Sequence, residues 1–307
     1  MSRVANLLIA GVTKAGTTSL FSYLVQHPDV CGSSVKETEF FSPLLYPDGK
    51  IGSRRDYERY FERCGDERYA VEATPNYWYG GPALLDAIED TCAAPRYIVS
   101  LRDPVDRFWS ELTYMQSKAL LPAELSAASY LDRCLERHAA GTAFTRENRY
   151  YRTLTTGCYA DYLGAWIDRL GERLRVVFFE DLVSDAPGVV AGLLDWLGLA
   201  SDAVGEFDLT AQNVTVAVSS PAVQLVARRV ARLTDAVTRR QPALKERLVR
   251  AYNGLNRRQT ARSELDEGTR VRLRELFAPT TAALADQLRR AGYAELPVWI
   301  SGNAGTR

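Results

Sequence analysis

The chain has 307 residues, of which 46% are hydrophobic and 25% charged, the make-up of a folded globular protein long enough to bury a real core. Lys plus Arg and Asp plus Glu both number 38, so the net charge is zero; that excludes a global basic field of the nucleic-acid-binding kind, and any anion site has to be built locally. No stretch approaches the roughly 20 apolar residues of a membrane span, the N-terminal apolar run is too short for a signal peptide, and Cys31, Cys64, Cys92, Cys134 and Cys158, odd in number and without a C-x-x-C pair, are expected to be reduced thiols of a cytoplasmic protein with no zinc site.

Residues 7–12 are a short apolar run of the size of a buried parallel strand. The run enters a small-residue turn over 11–18. From Thr18 the positions Leu20, Phe21 and Leu24 repeat at helical spacing until Pro28 ends the pattern. A strand that turns through glycines into a helix aims backbone N–H groups and the positive end of the helix dipole at one spot, an anion site. The spacing is not that of a Walker A loop, G-x-x-x-x-G-K-[ST]. Gly11 and Gly16 keep the glycine separation, but Thr17 stands where the lysine belongs, and the lysine is Lys14. An ammonium there meets a phosphate chain from another side, while the hydroxyls of Thr17 and Thr18 open the helix. Taken alone, the loop also reads as a plain strand–turn–helix with a solvated Lys14.

A short strand or extended segment is expected over 29–34, followed by Lys36-Glu37-Thr38-Glu39-Phe40-Phe41 and a polar loop over 42–55. Tyr57, Tyr60 and Phe61 mark a short amphipathic helix. Residues 69–73 read as a strand closed by Thr74-Pro75, and 82–91 as a helix with proline at its start. A strand over 96–101 leads to a helix from Pro104 to about 118, and 131–137 is helical. Residues 157–170 form an amphipathic helix with Tyr162, Leu163, Trp166 and Leu170 on one side. A strong strand at 174–179 precedes a helix at 189–197 ended by Gly198. From 221 onward the chain reads as mostly helical and arginine-rich. Alternating strands and helices predict an α/β fold, a three-layer sandwich around a mainly parallel sheet with the plan of P-loop NTPases. One domain is expected over 1–307, with its core at 4–200 and a helical C-terminal part at 220–300.

Ligands of open parallel sheets bind beyond the carboxyl ends of the strands. The Lys14 loop, Lys36-Glu37, Thr74-Pro75-Asn76-Tyr77-Trp78 and Arg102-Asp103-Pro104 each follow a strand, so they are expected in one cleft. Arg102 leaves the fourth strand, Pro104 fixes the first helical turn, and Ser110 lies less than two turns up the helix, within reach of the same region. A guanidinium with a hydroxyl grips a phosphate monoester. The bland alternative pairs Arg102 with Asp103 or Asp106 and leaves Ser110 to cap or pack. Two anion sites on neighbouring strand ends suggest a ligand phosphorylated at two places.

At this point the residues resemble the sulfotransferases. The loop over 13–20 is similar to that family's 5′-phosphosulfate loop, and Arg102-Asp-Pro-Val-Asp-Arg-Phe-Trp-Ser110 to its 3′-phosphate motif. The 36–41 stretch resembles the K-E-x-x-F-F segment of the heparan sulfate branch. Glu72-Ala73-Thr74-Pro75-Asn76-Tyr77 resembles a further segment of that branch, and 157–166 with 176–182 a later helix–strand pair. The resemblance implies the donor 3′-phosphoadenosine 5′-phosphosulfate (PAPS; product PAP) and transfer of its sulfuryl group to a hydroxyl or amine of a small molecule or glycan. It implies Lys14 at the leaving 5′-phosphate oxygen, Ala15, Gly16, Thr17, Thr18 and Ser19 around that phosphate, and Arg102 and Ser110 on the 3′-phosphate. With Lys14 in that role no metal is needed.

By the same resemblance Glu37 is the base that takes the acceptor proton, with Lys36 steadying the sulfate or the carboxylate. His27, beside Pro28 at a helix end, and His138, in a charged helix, are poorly placed for that work. Glu39 stands where heparan-type relatives often carry histidine. Tyr159 is expected to approach the nucleotide, and Arg257, Arg258 and Arg262 to supply a basic C-terminal loop over the donor. Tyr77, Trp78, Tyr79, Trp109 and Tyr114 either stack on a ligand ring or belong to the core. Two other classes stay open. One is a P-loop kinase or NTPase with 176–180 as its Walker B strand, and the other a nucleotide-binding module without turnover.

Overall fold

The computed structural model describes residues 3–118, 120–141, 145–210 and 264–302. Its five strands are β1 (Leu7–Gly11), β2 (Val30–Gly32), β3 (Tyr69–Glu72), β4 (Arg96–Leu101) and β5 (Leu174–Phe178), all parallel, in the order β2-β3-β1-β4-β5. β1 is therefore central. It pairs Leu8 with Glu72 on one side and with Tyr97 on the other. A strand buried on both faces has no reason to alternate apolar and polar residues, which is why β1 reads as an unbroken apolar run.

Alternate β1 residues serve two separate cores. Leu7 and Ile9 pack with α1 (Thr17–Leu24) and, through Leu193, Leu194 and Leu197, with α8 (Ala186–Leu197). Leu8 and Ala10 face the other layer, built from α3 (Gly81–Cys92) and α6 (Ala160–Leu170) with Trp78 and Trp166 at its centre. The remaining helices are α2 (Arg54–Glu58), α4 (Pro104–Ser117), α5 (Ala127–Ala139), the short α7 (Phe179–Ser184), α9 (Glu267–Arg290) and α10 (Val298–Ser301). The predicted α/β sandwich with a parallel sheet is thus what the chain builds. α9 is long enough to serve two layers. Leu284 and Leu288 enter the α3/α6 core, while Leu273 and Phe277 pack with α4 and α5.

Three expectations need correction. α1 ends at Leu24, a turn before His27-Pro28, because the chain tightens there: His27 Nδ1 accepts from the Asp29 amide at 3.0 Å and Nε2 bonds the Ala200 carbonyl at 3.2 Å. Phe179 does not finish the fifth strand but begins α7. The five cysteines are not all reduced thiols, since Cys31 and Cys64 form a disulfide with Cα atoms 5.6 Å apart, while Cys92, Cys134 and Cys158 are free. Among the described residues no helix is long and apolar enough to cross a membrane. The stretch 211–263, with Arg257, Arg258 and Arg262, lies outside the described residues.

Candidate active site

Between β1 and α1 the backbone passes twice through the left-handed region, at Lys14 (φ 65°) and Gly16 (φ 78°). Gly16 also caps α1. A Cβ on it would lie 2.9 Å from Leu182 and 3.0 Å from Phe179, so both conformation and space demand glycine. No side chain caps this helix, which leaves its first-turn N–H groups directed at the loop.

Three donors from the β4–α4 corner hold the loop residue by residue. Arg107 Nη1 donates to the Thr13 hydroxyl at 3.3 Å, Arg102 Nη1 to the Lys14 carbonyl at 3.0 Å, and the Ser100 hydroxyl to the Ala15 carbonyl at 2.6 Å. The Lys14 ammonium sits 4.1 Å over the Tyr114 ring. Burial draws its pKa below the lysine range; Glu111 works in the opposite direction, Arg102 and Lys118 in the same one.

Arg102 is also desolvated, and burial lowers its pKa while Asp106 and Glu180 oppose. Its guanidinium stacks 4.3 Å over Phe179. The acids near it have other work. Asp103 caps α4 by accepting from the Val105 amide at 2.8 Å, and Asp106 lies 3.4 Å from Arg270. Glu180 accepts from the Asp103 amide at 3.0 Å and from Trp299 Nε1 at 3.1 Å. The last pair also occupies the residue that a Walker B reading would need. Ser110 is half-buried on α4, and its carbonyl takes the Thr113 hydroxyl at 3.1 Å; no hydrogen bond joins it to Arg102. Tyr159 is buried behind the strand tip, and its hydroxyl donates to the Arg102 carbonyl at 2.9 Å, so it backs Arg102.

On the other side of the loop, Lys36 bridges two elements. Its ammonium donates to Glu37 Oε1 at 2.7 Å and reaches Thr17 Oγ1 at 3.5 Å. The Ala73 amide donates to the Lys36 carbonyl at 3.0 Å, anchoring the segment to the end of β3. Glu37 keeps 48% of its side-chain surface exposed, open to an incoming molecule. Groups following β1, β2 and β4 thus converge. Of the segment after β3, Tyr77, Trp78 and Tyr79 are core, whereas Tyr114 is exposed beneath Lys14. His138 is exposed near the end of α5, its ring bonded to the Thr155 hydroxyl at 2.9 Å.

Sequence reasoning missed Arg107. It is fully buried, and its other bonds go to the Thr153 carbonyl at 2.6 Å and the Thr156 hydroxyl at 3.0 Å, both neutral oxygens. The signal was its position on the apolar face of α4, one turn beyond Pro104 and next to Phe108. Taken together, the uncapped helix start, two desolvated cations and an exposed carboxylate can seat a ligand with two anionic groups and receive a proton beside it.

Comparison with known proteins bears on the family and the fold. A family model described as "Sulfotransferase family" matches residues 51–203. Human heparan sulfate glucosamine 3-O-sulfotransferase 3B1 is 30% identical over 196 residues, 62% of this chain and 45% of that protein. Human heparan sulfate glucosamine 3-O-sulfotransferase 6 is 30% identical over 201 residues, 64% of this chain and 53% of that protein. The chain spans about half the length of the curated relatives it matches. A crystal structure of a sulfotransferase from Alicyclobacillus acidocaldarius shares the fold, with a TM-score of 0.69 and 24% identity over 97% of this chain and 99% of that one.

Proposed function

Because the chain belongs to the sulfotransferase family, we propose that it transfers a sulfuryl group from 3′-phosphoadenosine 5′-phosphosulfate to a hydroxyl or amine of a small-molecule or glycan acceptor. The donor, when bound, supplies sulfur already activated by a 5′-phosphate leaving group. The residues suit such a ligand. Lys14 and the amides of 15–19, with the Thr17, Thr18 and Ser19 hydroxyls, hold the 5′-phosphate at the start of α1; Arg102, with Ser110, holds the 3′-phosphate. Glu37 takes the acceptor proton as the bond from acceptor to sulfur forms, and Lys14 meets the charge left on the phosphate oxygen as the sulfur–oxygen bond breaks. The product is adenosine 3′,5′-bisphosphate.

One observation carries this reading: Arg102 is bonded to the Lys14 carbonyl while Lys36 spans Glu37 and Thr17. Both cations and the base are thereby tied to one phosphate loop. Two human relatives are named for a sugar acceptor, heparan sulfate glucosamine, which favours a glycan here. Zero net charge adds no general attraction to a polyanion, so non-glycan alcohols and amines belong in the same screen. The Cys31–Cys64 disulfide removes the ground on which a cytoplasmic location was expected.

The test is labelled-sulfate transfer from PAPS across acceptor classes with metal chelated, beside calorimetry with adenosine 3′,5′-bisphosphate. Binding and transfer in chelator are expected. Absence of both, or a strict requirement for Mg²⁺ with ATP, overturns the reading in favour of a kinase or NTPase.

A further inference from the structure

Glu72 is a fully buried carboxyl that none of the chemistry above uses. It closes β3 beneath the segment that carries Glu37, and its Oε2 is bonded to the Thr38 hydroxyl. Donor accounting gives these contacts a direction. The Phe41 amide donates to the Tyr77 hydroxyl at 3.2 Å, and the Phe40 amide to the Thr38 hydroxyl at 3.3 Å. An N–H only donates, so both hydroxyl oxygens are acceptors and their protons must go onward. The two hydroxyls are 3.2 Å apart. The arrangement that satisfies every member runs from Tyr77 O–H to Thr38, and from Thr38 O–H to Glu72. A second tie sits alongside, from the Glu39 amide to the Thr74 hydroxyl at 3.4 Å, across a left-handed Glu39 (φ 53°).

The chain of donors ends on a group that must accept. Glu72 Oε1 is buried and has no hydrogen-bond partner, as is the hydroxyl of Tyr57, which faces the same carboxyl. A proton on Oε1 therefore leaves Oε2 free to accept from Thr38, and the network survives in either charge state. We propose that Glu72 is a positioning residue for Glu37: acting through Thr38 and Tyr77, it anchors 37–41 from below and keeps the Glu37 carboxylate beside Lys36 and Thr17. This deepens the reading of Glu37 as the base and rests on it for its catalytic consequence, but the anchoring itself is independent of that reading.

The experiment compares full-length wild type with Glu72→Gln, Glu72→Leu and Thr38→Val. It reads hydrogen exchange of the 36–41 and 13–19 peptides, affinity for adenosine 3′,5′-bisphosphate, and steady-state transfer. In Glu72→Leu and Thr38→Val the Phe40 and Phe41 amides should exchange about 10-fold faster, the effect of one lost hydrogen bond. The 13–19 peptide and nucleotide affinity should stay within about 2-fold, and kcat should fall about 10- to 100-fold at unchanged donor KM. Glu72→Gln should rescue all of these, because its amide oxygen accepts from Thr38 and its amide nitrogen faces the unpartnered Tyr57 hydroxyl. If Glu72→Leu does not fold, Thr38→Val, which removes one hydroxyl, decides. Unchanged exchange at 36–41, or Glu72→Gln as damaging as Glu72→Leu, overturns the proposal. Should wild type transfer no sulfate, the exchange arm still tests the anchor while the proposed function falls.

Discussion

Arg102 and Lys14, the cations of two separate predicted anion sites, are joined: the guanidinium donates to the Lys14 main-chain carbonyl at 3.0 Å. The two sites are one mechanical unit. Removing the guanidinium takes away a charge-assisted contact and also the support of the residue that carries the other charge.

Arg102→Ala should therefore weaken adenosine 3′,5′-bisphosphate at least about 10-fold and lower kcat as well, while acceptor KM stays near wild type. Calorimetry and steady-state kinetics read both. A rise in donor KM with kcat intact would mean that the sites are independent after all.

For Lys14→Ala the expectation is a fall of about 100- to 1000-fold in kcat, the scale for losing one group that meets developing charge. Thermal stability should be unchanged or higher, because burial already disfavours this ammonium. A melting temperature that collapses together with activity would assign Lys14 to the fold.

Glu37→Gln should lose about 100-fold or more of turnover, the range of general base catalysis, and still bind the nucleotide as wild type does. Its side chain is half in solvent, so little packing is at stake. Near-normal turnover in this variant would remove Glu37 from the proposed mechanism.

Glu72 predicts a pH signature in stability. Burial raises its carboxyl to about 7 from the ordinary 4.5, with Glu39 adding in the same direction, against the hydroxyls of Thr38, Tyr57 and Tyr77, which lower it; Cys92 is the other titratable group around it. Below 4.5 the group is neutral in both folded and unfolded chains. Between 4.5 and 7 only the unfolded chain ionises, so wild-type stability falls as pH rises and levels off above 7. The loss is on the order of 3 kcal/mol for a shift of that size. Denaturation at pH 4.5 and pH 8 should show Glu72→Gln gaining on wild type across this window, and a pH-independent difference would contradict the raised pKa.

The parts of the fold that were legible in the sequence follow the parts of it that obey one rule at a time. β1 and β4 were readable because strands buried on both faces are largely apolar runs, and β5, at the sheet edge, because Leu174, Val176 and Phe178 alternate as its buried residues around an exposed Arg175. α6 was readable because Leu163, Trp166 and Leu170 repeat at helical spacing against one core. The turn from β1 into α1 was legible in its glycines. What escaped depends on tertiary contact. α7 is too short to show a period, and its first residue belongs equally well to a strand. The Cys31–Cys64 pairing joins β2 to the approach to β3, and neither spacing nor composition carries that proximity. Arg107 and Glu72 look like surface charges in a linear reading. Their burial is supported by Thr153, Thr156 and Thr38, distant in the chain, which supply the hydrogen bonds that buried charge requires.

The central place of β1 has a consequence for biogenesis. Its hydrogen-bonding edges are completed by β3 and by β4, the latter beginning at Arg96. During translation, at about 5–20 residues per second, this uncharged strand waits on the order of ten seconds for its second neighbour. Nascent chains should accordingly be most vulnerable to clumping before Leu101 clears the ribosome, and shielding of the leading segment by a holdase, rather than faster synthesis downstream, should govern the yield of folded material.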